Sequence, residues 1–152
     1  MNPVNTAANS TFAAKAAVTR LRDRPVRGRR ESATGLIDLR PLLGVWVNYD
    51  ETSTGIHRIE ISAWEGIIPT VRAFGAGRTA PHDWGEVAGA AFADGVGTTE
   101  AVAFTANYDL GFATVLLAGY LNKRLLVADA YTTFTDSSGR AGYFQRDHLY
   151  LP

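Results

Sequence analysis

From Gly44 onward apolar and polar side chains alternate in short runs, and before it no such order is visible. Over residues 44–50, Val45, Val47 and Tyr49 fall on one side and Trp46, Asn48 and Asp50 on the other, the two-residue period of a pleated strand. Runs of the same kind recur over 56–65, 67–75, 84–93, 101–109, 112–121, 124–135 and 141–151. Turn-forming residues separate them, among them Ser53-Thr54-Gly55, Gly66, Asp94-Gly95, Asn122-Lys123 and Ser137-Ser138-Gly139. No run has the length and 3.6-residue period of an amphipathic helix. The pattern therefore predicts an all-β domain of eight strands. Short links make consecutive strands antiparallel neighbours, and eight of them can close into an up-and-down barrel that is filled by side chains or holds one small ligand. The Leu-rich stretch 36–43 reads as a turn or short helix plugging one end, which sets the barrel domain at residues 36–152.

Residues 1–35 read as a separate basic arm. A helix from Phe12 to Arg22, capped by Asn9, Ser10 or Thr11 and ended by Pro25, would bury only Phe12, Ala16 and Leu21. The arm is therefore expected to be disordered or weakly helical. The net charge of +0 hides a split: seven basic and two acidic side chains give the arm +5, and eight against thirteen give the remainder −5. Such an arm reads first as a solvated tail, with an acidic partner, a nucleic-acid backbone or the domain's own surface as electrostatic alternatives. Specific nucleic-acid binding is not expected. The 152 residues, 46% of them hydrophobic, suit one core plus this appendage. With no cysteine, disulfides and thiolate chemistry are excluded. The N-terminus lacks a charged start followed by an apolar run, and no stretch has membrane-spanning length, so a cytoplasmic location without a membrane span is expected.

Candidate chemistry concentrates on the last hairpin. A turn that pairs residue 136 with 139 sets Asp129 opposite Arg146, and a turn one residue later sets it opposite His148. Leu125, Val127 and Tyr131 share the face of Asp129, so its carboxylate needs a basic partner to stay ionised. One reading makes Asp129, Tyr131, Arg146 and His148 a polar cluster in a pocket, with Asp129, Tyr131 and His148 as proton-moving groups. The other makes Asp129 and Arg146 a cross-strand ion pair on the barrel wall. His57, His82 and His148 lack the spacing that puts two imidazoles on one metal, so no metal site is expected. No phosphate loop, hydrolase elbow or other cofactor motif appears, and no cofactor is expected. The many aromatic side chains either fill the barrel opposite small residues or line a cavity for a planar ligand.

Gly44-x-Trp46 resembles the first-strand motif of the lipocalin and wider calycin barrels. The resemblance implies that an arginine from the end of the chain, Arg146 or Arg140, packs over the indole of Trp46. Residues 44–50 (GVWVNYD), 83–86 (DWGE) and 134–140 (FTDSSGR) together resemble a group of small uncharacterised bacterial β-barrel proteins with G-x-W-x-N-x-D, D-W-G and F-T-D-x-S-G-R motifs. Relatives in that group often carry cysteines beside the D-W-G; Gly77 and His82 stand there instead, which leaves a redox or metal role unsupported. The expected function is a non-enzymatic binder of a small hydrophobic or aromatic molecule, with Trp46, Trp84, Tyr131, Phe144 and Arg146 as ligand contacts. Two alternatives stay open. One is a cyclase or isomerase acting on a small natural-product-like substrate; the other is a protein-interaction module, including a homodimer.

Overall fold

All eight expected strands form in the computed structural model, which describes residues 36–152. They are β1 (Gly44–Asn48), β2 (Ile56–Trp64), β3 (Ile68–Gly75), β4 (His82–Ala93), β5 (Ala101–Asp109), β6 (Ala113–Asn122), β7 (Leu125–Phe134) and β8 (Tyr143–Tyr150). Each pairs antiparallel with the next, and β1 pairs with β8 to close the barrel. The arm expected over residues 1–35 lies outside the described residues. Among the described residues no helix is long and apolar enough to cross a membrane.

Strand alternation decides which side chains fill the interior. On β7 the small residues Ala128 and Ala130, with Leu126, face the core, while Asp129 and Tyr131 face out. Small side chains are needed there because the interior is already taken by Phe104, the largest fully buried side chain. Phe104 sits directly opposite Gly119, and a Cβ at position 119 would overlap its ring. Tyr108 enters from the same strand and donates its hydroxyl proton to the carbonyl of Val71 on β3 at 2.7 Å. Burial pushes its phenol well above the ordinary tyrosine range, which keeps it a donor. The middle of the barrel is thus filled.

One end is closed by residues 36–43, which form a turn and not a helix. Leu39 and Leu42 are buried in it, and the indole N–H of Trp46 donates to the carbonyl of Leu42 at 2.8 Å. Asp38 ties the segment to the β4–β5 link through Asp38 N to Thr99 O at 2.7 Å and Ala101 N to Asp38 O at 2.9 Å. The opposite end is ringed by the loops at 49–55, 76–81, 110–112 and 135–142.

β1 stops at Asn48, earlier than alternation predicts, because the Asn48 side-chain oxygen takes the backbone N–H of Asp50 at 2.8 Å and turns the chain. The ladder between β1 and β8 therefore holds only the pairs Val47–Tyr150 and Asn48–Leu149. Side chains complete the seam. The Asp147 carboxylate accepts the backbone N–H of Ile56 at 2.9 Å, and the Asn48 amide donates to the carbonyl of Ile56 at 2.6 Å. Asp147 also accepts from the Asn48 amide at 2.9 Å and from the Ser53 hydroxyl at 2.6 Å. Together with the Tyr49 N–H, which donates to the carbonyl of His148 at 2.8 Å, these bonds pin the β1–β2 loop against β8.

Candidate functional site

The filled middle and the ring of loops leave a cavity of about 190 Å³ at the open end. Its floor comes from inward positions of the strands, Ile56, Val115 and Ala130 among them, and its rim from Phe112, Phe134 and Tyr143. Thr54, His82, Trp84, Thr132, Tyr143 and Gln145 bring polar side chains to its lining. Among the described residues the Trp84 indole N–H and the Gln145 amide have no hydrogen-bond partner, and both side chains line the cavity, Gln145 also bordering the groove beside Arg146. No Asp, Glu, Lys or Arg lines it. Two further grooves, of about 400 and 560 Å³, run along the outer side of the β1–β2 loop. They are larger but more open to solvent, and so bury less of any occupant.

Trp84 reaches the cavity because the D-W-G stretch is a β-bulge. Arg72 pairs with Glu86 and Phe74 with Asp83, so Trp84 and Gly85 together stand opposite Ala73. Gly85 has φ +87°, a conformation that suits glycine, and its N–H donates to Asp83 Oδ1 at 2.9 Å. The bulge swings the indole inward against Tyr108, edge to face at 5.4 Å between ring centroids. Gly75 makes room for it, since a Cβ there would come within 2.8 Å of Trp84 Nε1. Outside, Arg72 clamps Asp83 through Nε at 3.2 Å and through its NH2 group. Hydrogen bonds from Arg72, then from the Gly85 N–H, hold the Asp83 carboxyl down at about 2. Because this pKa is depressed below the ordinary ~3.9 of aspartate, the clamp favours the fold above that value and is lost as pH falls through about 2. A carbon-13 NMR titration is expected to place the Asp83 midpoint near 2, and Arg72→Ala to return it toward the ordinary range. An unmoved midpoint in Arg72→Ala would remove Arg72 as the cause.

The residues singled out on the last hairpin lie elsewhere. The register sets Asp129 opposite Arg146, Tyr131 opposite Phe144 and Val127 opposite His148. Arg146 grips Asp129 in a bidentate pair, Nε to Oδ1 at 2.7 Å and its NH2 group to Oδ2 at 2.8 Å, and this carboxylate raises the guanidinium pKa. Tyr131 packs on Phe144 at 5.2 Å on the same outer face, and His148 borders a groove with Tyr49 and Leu125. Asp129, Tyr131, Phe144, Arg146 and His148 therefore share the outer wall, with Asp129 covered by its neighbours and the rest exposed. Trp46 is 3% exposed in the closed end and does not reach the cavity. Of the expected ligand contacts, Trp84 alone lines it.

The arginine expected over Trp46 is not there. Even-numbered residues of β8 face out, so Arg146 meets Asp129 and Phe144 instead, and Arg140 pairs with Asp136 and lies over the Phe134 ring at 3.8 Å. The indole N–H of Trp46 is met by the Leu42 carbonyl.

No protein-family model matches this chain, and no curated protein or solved structure matches it. The site is read from its own geometry. Sequence reasoning passed over Gln145 and Asp147, which point inward from β8 between Tyr143 and Leu149. The available signal was Leu149: it marks the odd-numbered face as the core face, and Gln145 and Asp147 share its parity.

Proposed function

We propose that this chain is a calycin-like binding barrel that takes a small aromatic molecule in the cavity at its open end. The observation that carries this reading is a cavity less open than the two outer grooves, with a mixed apolar and polar lining that includes the Trp84 indole N–H and the Gln145 amide. Apolar walls supply the driving force, and a few fixed donors and acceptors supply orientation. Size limits the ligand. The space of about 190 Å³ exceeds the roughly 150 Å³ that accommodates benzene and falls short of the roughly 300–1,000 Å³ usual for drug-sized ligands. A long acyl chain does not fit within it. The cyclase or isomerase alternative gains no comparable support, because its proton-moving groups Asp129, Tyr131 and His148 stand on the outer wall.

Thermal unfolding tests the reading. Indole and naphthalene are expected to raise Tm in a concentration-dependent way, and long-chain fatty acids to leave it unchanged. Stabilisation by fatty acids and not by indole or naphthalene would contradict the assignment of the cavity as the binding site.

A further inference from the structure

We infer that the ligand of this cavity is an uncharged aromatic of one ring or two fused rings carrying one small hydrogen-bonding substituent; the inference rests on the binding reading above. Three observations lead to it. The first is shape: the volume of about 190 Å³ holds little beyond such a ring system, and the rings of Trp84, Phe112, Phe134 and Tyr143 surround it.

The second is the pattern of unspent polar atoms. Trp84 Nε1 can only donate, while the Gln145 amide can donate and accept. A carbonyl or hydroxyl on the ligand satisfies both, and a bare hydrocarbon leaves them to water. Thr132, facing in on β7 beside Gln145, adds a hydroxyl.

The third is charge. No Asp, Glu, Lys or Arg lines the space, His82 is the one basic side chain on its lining, and the nearby ions are already committed. Asp147 lies behind Gly55, so close that a Cβ at position 55 would strike its carboxylate, and it is held by Asn48, Ser53 and the Ile56 N–H. Arg140, stacked on Phe134, is paired with Asp136. An anionic ligand would approach a fixed carboxylate, and a cationic one would find none free. A cationic ligand would lose hydration without a counter-charge in return, and an anionic one would have only the exposed His82 imidazole to set against the Asp147 carboxylate.

Three probes of nearly equal size and shape separate the cases: benzamide, benzoate and benzamidinium, titrated into the full chain while the Trp84 indole N–H resonance is followed. Benzamide is expected to shift that resonance to saturation and to bind at least ~10-fold more tightly than either ion, a difference of about 1.4 kcal/mol. Gln145→Leu is expected to weaken benzamide about 5-fold. Equal or tighter binding of benzoate or benzamidinium overturns the inference and leaves the binding reading standing. So does failure of benzamide when naphthalene still binds. If neither benzamide nor naphthalene binds, the binding reading itself fails.

Discussion

Replacing Asp147 with alanine is expected to lower the free energy of unfolding by about 2–4 kcal/mol, read as a fall in the urea midpoint. The carboxylate is 5% exposed and accepts from Asn48, Ser53 and the backbone of Ile56. Hydrogen bonds to a charged acceptor are each worth about 1.5–3 kcal/mol, but removing the acid also relieves its own desolvation, so the net loss is less than their sum. Asp147→Asn keeps one accepting oxygen and is expected to lose about half as much. The damage should be local before it is global. Hydrogen exchange at the Ile56 N–H is expected to rise more than exchange at the Leu117 N–H, because the Ile56 N–H itself donates to Asp147 while Leu117 lies in the middle of a fully paired strand. A loss below about 1 kcal/mol would mean that the seam does not depend on these bonds.

Phe104→Ala is the second large effect, about 3–5 kcal/mol by the usual cost of emptying a buried aromatic site. Its ring is 1% exposed and lies on the Gly119 backbone, so there is little nearby that can fill the gap. The converse change overfills the same spot. Gly119→Ala is expected to cost about 1–3 kcal/mol, since a Cβ would overlap a ring that the core holds in place. Combining Phe104→Leu with Gly119→Ala should restore part of the loss, because the smaller side chain vacates space the new methyl can use. Strictly additive losses in the urea midpoints would show that the two sites do not share one packing volume.

The existence and number of strands were legible because alternation is strong from Gly44 to the end. The pairing of Asp129 with Arg146 was one of two registers that the last hairpin allowed, and it formed although residues 135–142 make a long loop, not a tight turn. Which face looked inward was harder to read. In this barrel the large rings Tyr131, Phe144 and Tyr150 stand outside, while Ala106, Gly119, Ala128 and Ala130 stand inside around Phe104. Hydrophobic bulk therefore points to the wrong side of β7 and β8. Asp147 compounds the difficulty, since an acidic residue in a strand reads as solvent-facing until its three donors are known. The roles of the sequence motifs changed in the same way. Asn48 closes the seam, Asp83 and Gly85 build the bulge that delivers Trp84, and Asp136, Ser138 and Arg140 brace the loop beside Phe134. The sequence Asn-Tyr-Asp occurs at both 48–50 and 107–109 without matching geometry: Tyr49 is 77% exposed and Tyr108 is 2% exposed.

The central claim is that ligand enters the open end and rests against Trp84. Intermolecular nuclear Overhauser effects from bound benzamide test it most directly. Contacts from the ligand ring to the Trp84 indole N–H and to the methyl groups of Ala130 and Thr132 are the predicted result. Contacts to Tyr131, Phe144 and Leu116 on the outer wall, with none to Trp84, would contradict it.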